Sequence, residues 1–262
     1  MNIKKKNLIF DVGANEGSDG LSLALLFKDC QVFAFEPNKY YIKIIEHHKK
    51  KIENIIGLKI DNYKVFNNAI SIKEGMQNFN ISKNVGSHSL FEFNKNLYNF
   101  KRHVKGYETT QKTKVKVIKL SSFLKDKEFK RIKYLHCDAQ GSDINVLKSL
   151  GNYIKQLDYG VVEVSATEKK DLYKGSRNNF SNLKNFLKKN NLSITMAKSN
   201  DRFGNELNVK FKNNNIKLND FLNSYQKFKL KFYQKFIRKI IIGHYKIYLY
   251  KLLFKILDVK NN

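Results

Sequence analysis

Two short apolar runs within the first fifty residues, 7–13 (NLIFDVG) and 32–37 (VFAFEP), alternate with two segments of helical periodicity. Each run is too short for a helix, ends in turn residues and is apolar on both faces, so each reads as a strand buried inside a sheet. The segment LSLALLFKD and residues 39–51, with Tyr41, Ile42, Ile44 and Ile45 inward and lysines outward, read as helices. Strand, helix, strand, helix in so short a span predicts half of a right-handed, doubly wound sheet. Pro37, the single proline, has no N–H to give to a ladder and marks where the second strand leaves the sheet.

Further strands are expected at 64–71 (KVFNNAIS), 115–123 (VKVIKLSSF, running into a turn), 134–138 (YLHCD) and 160–165 (GVVEVS), closed by an antiparallel pair at 193–198 and 206–211. Helices are expected at 143–150 and 182–190. The sum is an α/β fold, Rossmann-like, with a mostly parallel seven-stranded sheet and helices on both faces. Residues 72–114 are polar, Asn-rich and punctuated by Gly75, Gly86 and Gly106, and read as an insertion with a small hairpin at 77–82 and a loop. Beyond 220 the composition changes: 221–262 holds ten Lys and Arg against Asp258 alone, a net +9, interleaved with aromatic and aliphatic residues. The chain thus divides into a sheet domain, 1–219, and a basic, aromatic, amphipathic helical tail, 220–262.

With 42% hydrophobic residues in 262, the chain can bury a core and is not a disordered tail protein. The net charge of +27 is almost all lysine, because arginine stands only at 102, 131, 177, 202 and 238. A nucleic-acid reader favours arginine for bidentate guanine and phosphate contacts, so the excess reads mainly as a Lys/Asn/Ile compositional bias. Cys30 and Cys137 form no CxxC pair, which removes a disulfide framework and a zinc ribbon and makes a reducing, cytoplasmic setting the default. Asp11 cuts the first apolar run too early for a signal peptide, and no window offers the roughly 18–20 apolar residues of a membrane span. Residues 240–257 carry Lys246, Lys251 and Lys255, so they suit the inner face of a membrane or a protein partner but not a crossing.

The turn after the first strand, Asp11-Val-Gly13-Ala-Asn15-Glu-Gly17, lets the backbone bend sharply and delivers a ligand to a helix N-terminus. Gly13, Gly17 and Gly20 do not fit the GxGxxG spacing, and an acid at 11 suits a cationic ligand better than a pyrophosphate. Glu36, nineteen residues after Gly17 at the tip of the next strand, is placed to accept both hydroxyls of an adenosine ribose. Asp138 and Glu163 end two adjacent central strands on the ligand-binding edge, and each is a candidate base or acceptor-orienting group. His136 lies two residues deeper on the face of Asp138 and reads as a satisfied core histidine, while Cys137 faces away as a small buried apolar residue. Asp138, Asp143 and Glu163 have no spacing that requires a metal, and none is expected.

FDVGANEG (10–17), AFEPN (34–38), NNAIS (67–71), SHSL (87–90), VKVIKLSSFL (115–124), DAQGSDINVLKSLG (138–151), VVEVS (161–165) and FGNELNVKF (203–211) stand in one order over about residues 7–212. In this order the chain resembles the FkbM-type S-adenosylmethionine-dependent methyltransferases. The resemblance implies a class I methyltransferase fold, S-adenosyl-L-methionine as cofactor and O-methylation, often of sugar hydroxyls. It makes Asp11, Gly13, Asn15 and Gly17 the methionine-side loop, Glu36 the ribose ligand and Asn68 a neighbour of the adenine. Where the family commonly reads Lys-Ile-Asp-x-Glu-Gly, this chain has His136-Cys137-Asp138-Ala139-Gln140-Gly141. The acceptor expected is a carbohydrate or small-molecule hydroxyl. Because Met1 precedes the first strand by only a few residues, the roof over the acceptor is expected from the insertion, with Ser87, His88 and Ser89 beside it. An RNA-directed methyltransferase is one alternative, weakened because Pro37-Asn38 excludes both a [DNS]PP[YFW] loop and a Pro-Cys nucleophile. A catalytically inactive, methyltransferase-like binding protein that engages a partner through the tail is another.

Overall fold

The computed structural model describes residues 5–95, 106–200, 204–216 and 224–242. Its centre is a seven-stranded sheet built from β1 (Asn7–Val12), β2 (Cys30–Phe35), β3 (Tyr63–Phe66), β7 (Ile132–Cys137), β8 (Leu157–Ser165), β9 (Leu192–Ser199) and β10 (Glu206–Asn213). The strand order is β3-β2-β1-β7-β8-β10-β9. The first five strands run parallel, and β10 is antiparallel to both β8 and β9. The mostly parallel, seven-stranded sheet with a closing antiparallel pair is therefore as expected.

Successive side chains of each central strand go to opposite faces, and each face has its own helix layer. Phe10, Phe33 and Phe35 meet α3 (Leu120–Leu124), α4 (Asp143–Ser149) and α5 (Phe180–Lys189) on one face. There the ring of Phe123 stands 5.1 Å from each of Phe33, Phe35 and Phe66 in edge-on contact, the arrangement aromatic quadrupoles prefer. Ile9, Val32 and Ala34 meet α1 (Ser18–Leu26), α2 (Lys39–Ile56) and α6 (Ser224–Ile242) on the other.

Two expected strands are built differently. Residues 64–71 are not one strand: β3 stays in the main sheet, and β4 (Ala69–Ile70) joins a second sheet of order β4-β6-β5. The break falls at Asn67, whose Nδ2 donates to the carbonyls of Glu36 (3.0 Å) and Pro37 (2.9 Å) and turns the chain outward. Residues 115–123 are not an added strand of the main sheet either. They are the end of β6 (Thr109–Ile118) followed by α3, with Val115 and Val117 packed on Ala69 and Phe79 in a small separate core. The expected local hairpin at 77–82 is instead β5 (Gly75–Ser82), paired antiparallel with the distant β6.

The expected helical tail is described over α6, while 243–262, with Lys246, Lys251 and Lys255, lie outside the described residues. α6 packs along α1, burying Tyr233, Phe236, Ile237 and Ile240 and exposing Lys227, Lys231, Lys235 and Arg238. Gln234 Nε2 donates to Asp19 Oδ1 (2.7 Å) in the first turn of α1. Among the described residues no helix is long and apolar enough to cross a membrane. Replacing Phe236 by Ala is expected to lower the unfolding free energy by about 3–5 kcal/mol, read from denaturant midpoints. A loss below about 0.5 kcal/mol would make α6 a surface appendage instead.

Candidate active site

The chain runs outward from β1 through β2 to β3 on one side and from β7 to β8 on the other, so the strand order reverses between β1 and β7. Ligands of open α/β sheets bind beyond the carboxyl ends of the strands at such a point. A cleft of about 550 Å³, its solvent-open mouth included, lies there. Val12, Gly13 and Asn15 form its floor, Phe35 and Glu36 one wall, and Asp138, Gln140 and Ser142 the other. Asn68 to Ile70 close the edge, and Phe79, His88 and Leu90 of the insertion cover it.

The floor is a backbone turn that few side chains tolerate. Gly13 has φ +82°, and a Cβ there would come 2.0 Å from the carbonyl oxygen of Asp138, so only glycine lets the two strand ends lie this close. The register places Val12 opposite Phe35, which brings the bend beside Glu36. Glu36 is 6% exposed, and its two oxygens accept the backbone N–H groups of Asn15 and Asn38, each at 2.8 Å. Asn38 in turn caps α2 by accepting from the Tyr40 N–H at 3.0 Å. Burial lifts the Glu36 carboxyl to about 7, although the Asn38 and Asn15 amides pull it down. Each oxygen has spent one lone pair on an amide and retains another.

Asp11 and Gly17 lie off the cleft wall. Asp11, 1% exposed, points to the opposite face, where Oδ1 meets His136 Nδ1 at 2.9 Å across the ends of β1 and β7. Burial opposes charge on His136, but the hydrogen bond and charge of Asp11 outweigh it and raise the imidazole to about 9. His136 is thus a partnered residue of the second face, as expected of it. Gly17, at φ +84°, occupies the N-cap of α1.

The two expected strand-end carboxyls meet. Asp138 lines the cleft half-buried, and Glu163, 5% exposed, lies behind it, close enough that one side-chain amide reaches both. Gln140 Nε2 donates to Asp138 Oδ1 (2.6 Å) and Glu163 Oε2 (3.3 Å), and Asn200 Nδ2 donates to Glu163 Oε1. Burial and then the charge of Asp138 push the Glu163 carboxyl well above its ordinary range. Burial also raises Asp138, with the Gln140 amide pulling against it. Asp143 is fully buried and latches β8 to α4 by accepting from the Glu163 N–H at 3.2 Å.

Of the three roof residues expected beside the acceptor, only His88 lines the cleft. Its Nδ1 accepts the Ser82 N–H at 3.1 Å, so the neutral ring carries its proton on Nε2. Ser89 instead donates to the Gln140 carbonyl (2.6 Å), and Ser87 bonds Ser82 and Asn84. Tyr41, expected on the inner face of α2, and Phe79 also line the cleft and flank the His88 ring at 6.0 and 6.3 Å. The position of Tyr41 in the first turn after Glu36 is the signal that would have marked it.

The Asp11–His136 pair has a signed pH consequence. A histidine raised in the folded state adds stability that is complete below its unfolded value and lost as pH rises through about 9. Stability is therefore expected to fall between about pH 7 and 9, and His136→Gln to flatten that slope in denaturant titrations. An unchanged slope would separate the pair from the folding equilibrium.

A family model described as the methyltransferase FkbM domain matches residues 11–194. Among solved structures, an FkbM methyltransferase from Methylobacillus flagellatus KT is 13% identical with a TM-score of 0.47. That match covers 78% of this chain and 43% of the other, so this chain spans less than half of that protein's length. A precorrin-6y C5,15-methyltransferase from Geobacter metallireducens GS-15 is 11% identical over 80% and 81% of the two chains, with a TM-score of 0.37. The M. capricolum TrmK complex with S-adenosyl-homocysteine is 12% identical over 99% and 92%, with a TM-score of 0.42. Among curated proteins none matches. On the family match, over a span that holds the cleft floor, Glu36 and both strand-end carboxyls, the chain belongs to the methyltransferase FkbM family.

Proposed function

We propose that this protein transfers a methyl group from S-adenosylmethionine to a hydroxyl oxygen of a sugar or similar hydroxyl-rich acceptor. The cleft suits the cofactor on three counts. Its floor is bare backbone at Gly13, its Glu36 wall presents a carboxylate with free lone pairs, and Asn15 Oδ1 and Ser142 Oγ are buried there without hydrogen-bond partners among the described residues. Glu36 would accept the ribose hydroxyls, Asn15 Oδ1 would accept from the methionine ammonium, and Asn68 would border the adenine. When bound, the cofactor supplies an electrophilic methyl on a sulfonium. The observation that carries the reading is Glu36, held by the floor's own Asn15 amide in the wall of the cleft.

A hydroxyl acceptor must lose its proton as it attacks, and a positioned base contributes roughly 10²–10⁴-fold. Asp138 is the carboxyl at the cleft wall, with Glu163 buried behind it. Holding acceptor oxygen and methyl carbon in line contributes about 7–11 kcal/mol, and the cover of Phe79, His88 and Leu90 supplies walls for that alignment. The acidic lining of Glu36 and Asp138 favours a neutral acceptor over a phosphate-rich one.

Calorimetry tests the cofactor half. Wild type is expected to bind S-adenosylmethionine, and Glu36→Ala to lose about 10–100-fold in affinity, the worth of hydrogen bonds to a charged group. Because Glu36 titrates near 7 and binds donors as a carboxylate, affinity should fall as pH drops below 7, by at most about tenfold per pH unit. Absence of binding would overturn the proposal. The acceptor half is tested by mass spectrometry of glycans from cells lacking the gene: loss of one methyl-sized increment from a glycan supports it, and loss from RNA alone overturns it.

A further inference from the structure

We infer that Gln140 is a positioning residue that decides which of two touching carboxyls, Asp138 or Glu163, turns its negative charge to the cleft, and that Tyr173 holds Gln140 in the orientation this needs. The use made of Asp138 rests on the methyl-transfer reading, while the arrangement itself does not.

A glutamine amide has a donating end and an accepting end, and its effect on a carboxyl pair depends on which end faces it. Here the Tyr173 hydroxyl donates to Gln140 Oε1. The opposite end, Nε2, is thereby turned to the carboxyls, with the shorter bond to Asp138 Oδ1 (2.6 Å) and the longer to Glu163 Oε2 (3.3 Å). Tyr173 is itself packed in place. The residue is 3% exposed, and its ring lies so close to Gly141 that a Cβ there would stand 2.7 Å from Cδ2. Gln140 itself sits at φ +46°, and its carbonyl accepts from Ser89 of the cleft's cover, so backbone and side chain are both fixed.

Two carboxyls close enough to be reached by one amide nitrogen, away from bulk water, repel strongly when both are ionised, so the pair favours sharing one proton. Glu163 also has an amide donor, Asn200 Nδ2 on Oε1, but the carbonyl oxygen of a neutral acid accepts that bond as well. With Glu163 the more deeply buried of the two, the short Gln140 bond to Asp138 stabilises the charge there and leaves the proton on Glu163, away from the cleft. Other ionisable groups acting on the pair include His136 of β7 and Asp19 of α1 on Asp138, Glu206 of β10 on Glu163, and Asp143 of α4 and Tyr173 on both. A glutamate at 140 would place a third carboxyl against these two and demand a further proton.

Carboxyl ¹³C titration of the unliganded protein tests the inference, with Gln140→Glu and Tyr173→Phe beside wild type. In wild type Asp138 should ionise at lower pH than Glu163. Gln140→Glu should move the Asp138 midpoint up by at least about one pH unit. Tyr173→Phe keeps the ring and removes only the hydroxyl, so it should shift Asp138 in the same direction by less, and it carries the test if the glutamate variant does not fold. Midpoints that stay with wild type, or Glu163 ionising first in wild type, would overturn the inference. Calorimetry of the same wild-type sample with S-adenosylmethionine separates the two readings: loss of binding removes the methyl-transfer proposal alone, and unmoved midpoints with binding intact remove the Gln140 role alone.

Discussion

The carboxylate of Glu36 joins the two parts of the molecule that must agree for the cleft to exist. One oxygen takes the Asn15 amide from the turn after β1, and the other takes the Asn38 amide at the start of α2. Parallel pairing of β1 with β2 forces this meeting, because Val12 and Phe35 are partners and the residues beyond them leave the sheet side by side. Buried amides need acceptors, and a carboxylate supplies them with lone pairs to spare. The desolvation that holds its pKa near 7 also makes it a strong acceptor for any donor that enters.

The charge of the chain and the charge of its site have opposite signs. The net +27 is carried by lysines such as 227, 231 and 235 on the outer face of α6, whose inner face completes the core beside α1. The cleft is walled by Glu36 and Asp138, with Glu163 behind. Long-range attraction for anions and short-range preference for a neutral or cationic ligand are separate properties, and only the second bears on the group that reacts.

The central strands were legible because strands buried on both faces need near-continuous apolar runs, and LIF and VFAF supply them within NLIFDV and CQVFAF. The bend and the acid were legible for the same reason, since strand length and helix length set their separation. The break between β3 and β4 was not, because Asn67-Asn68 carries no glycine or proline and the turn depends on amide bonds to residues thirty positions earlier. β6 alternates as any half-buried strand does, and nothing in that pattern says which sheet it joins. The pairing of Asp11 with His136 was not legible, because the two lie 125 residues apart on strands whose register only the fold defines. Gln140 stood out as a departure from the FkbM-type pattern, but its role depends on Tyr173, which no local spacing connects to it.

The most direct test of the account is a crystal structure of the protein with S-adenosylhomocysteine. The account predicts the ribose in the cleft with both hydroxyls about 2.5–3.0 Å from the Glu36 carboxylate, the range of O–H···O bonds, and Asn15 still donating to it. A nucleoside bound elsewhere, or a ribose whose hydroxyls turn from Glu36 toward solvent, would contradict it.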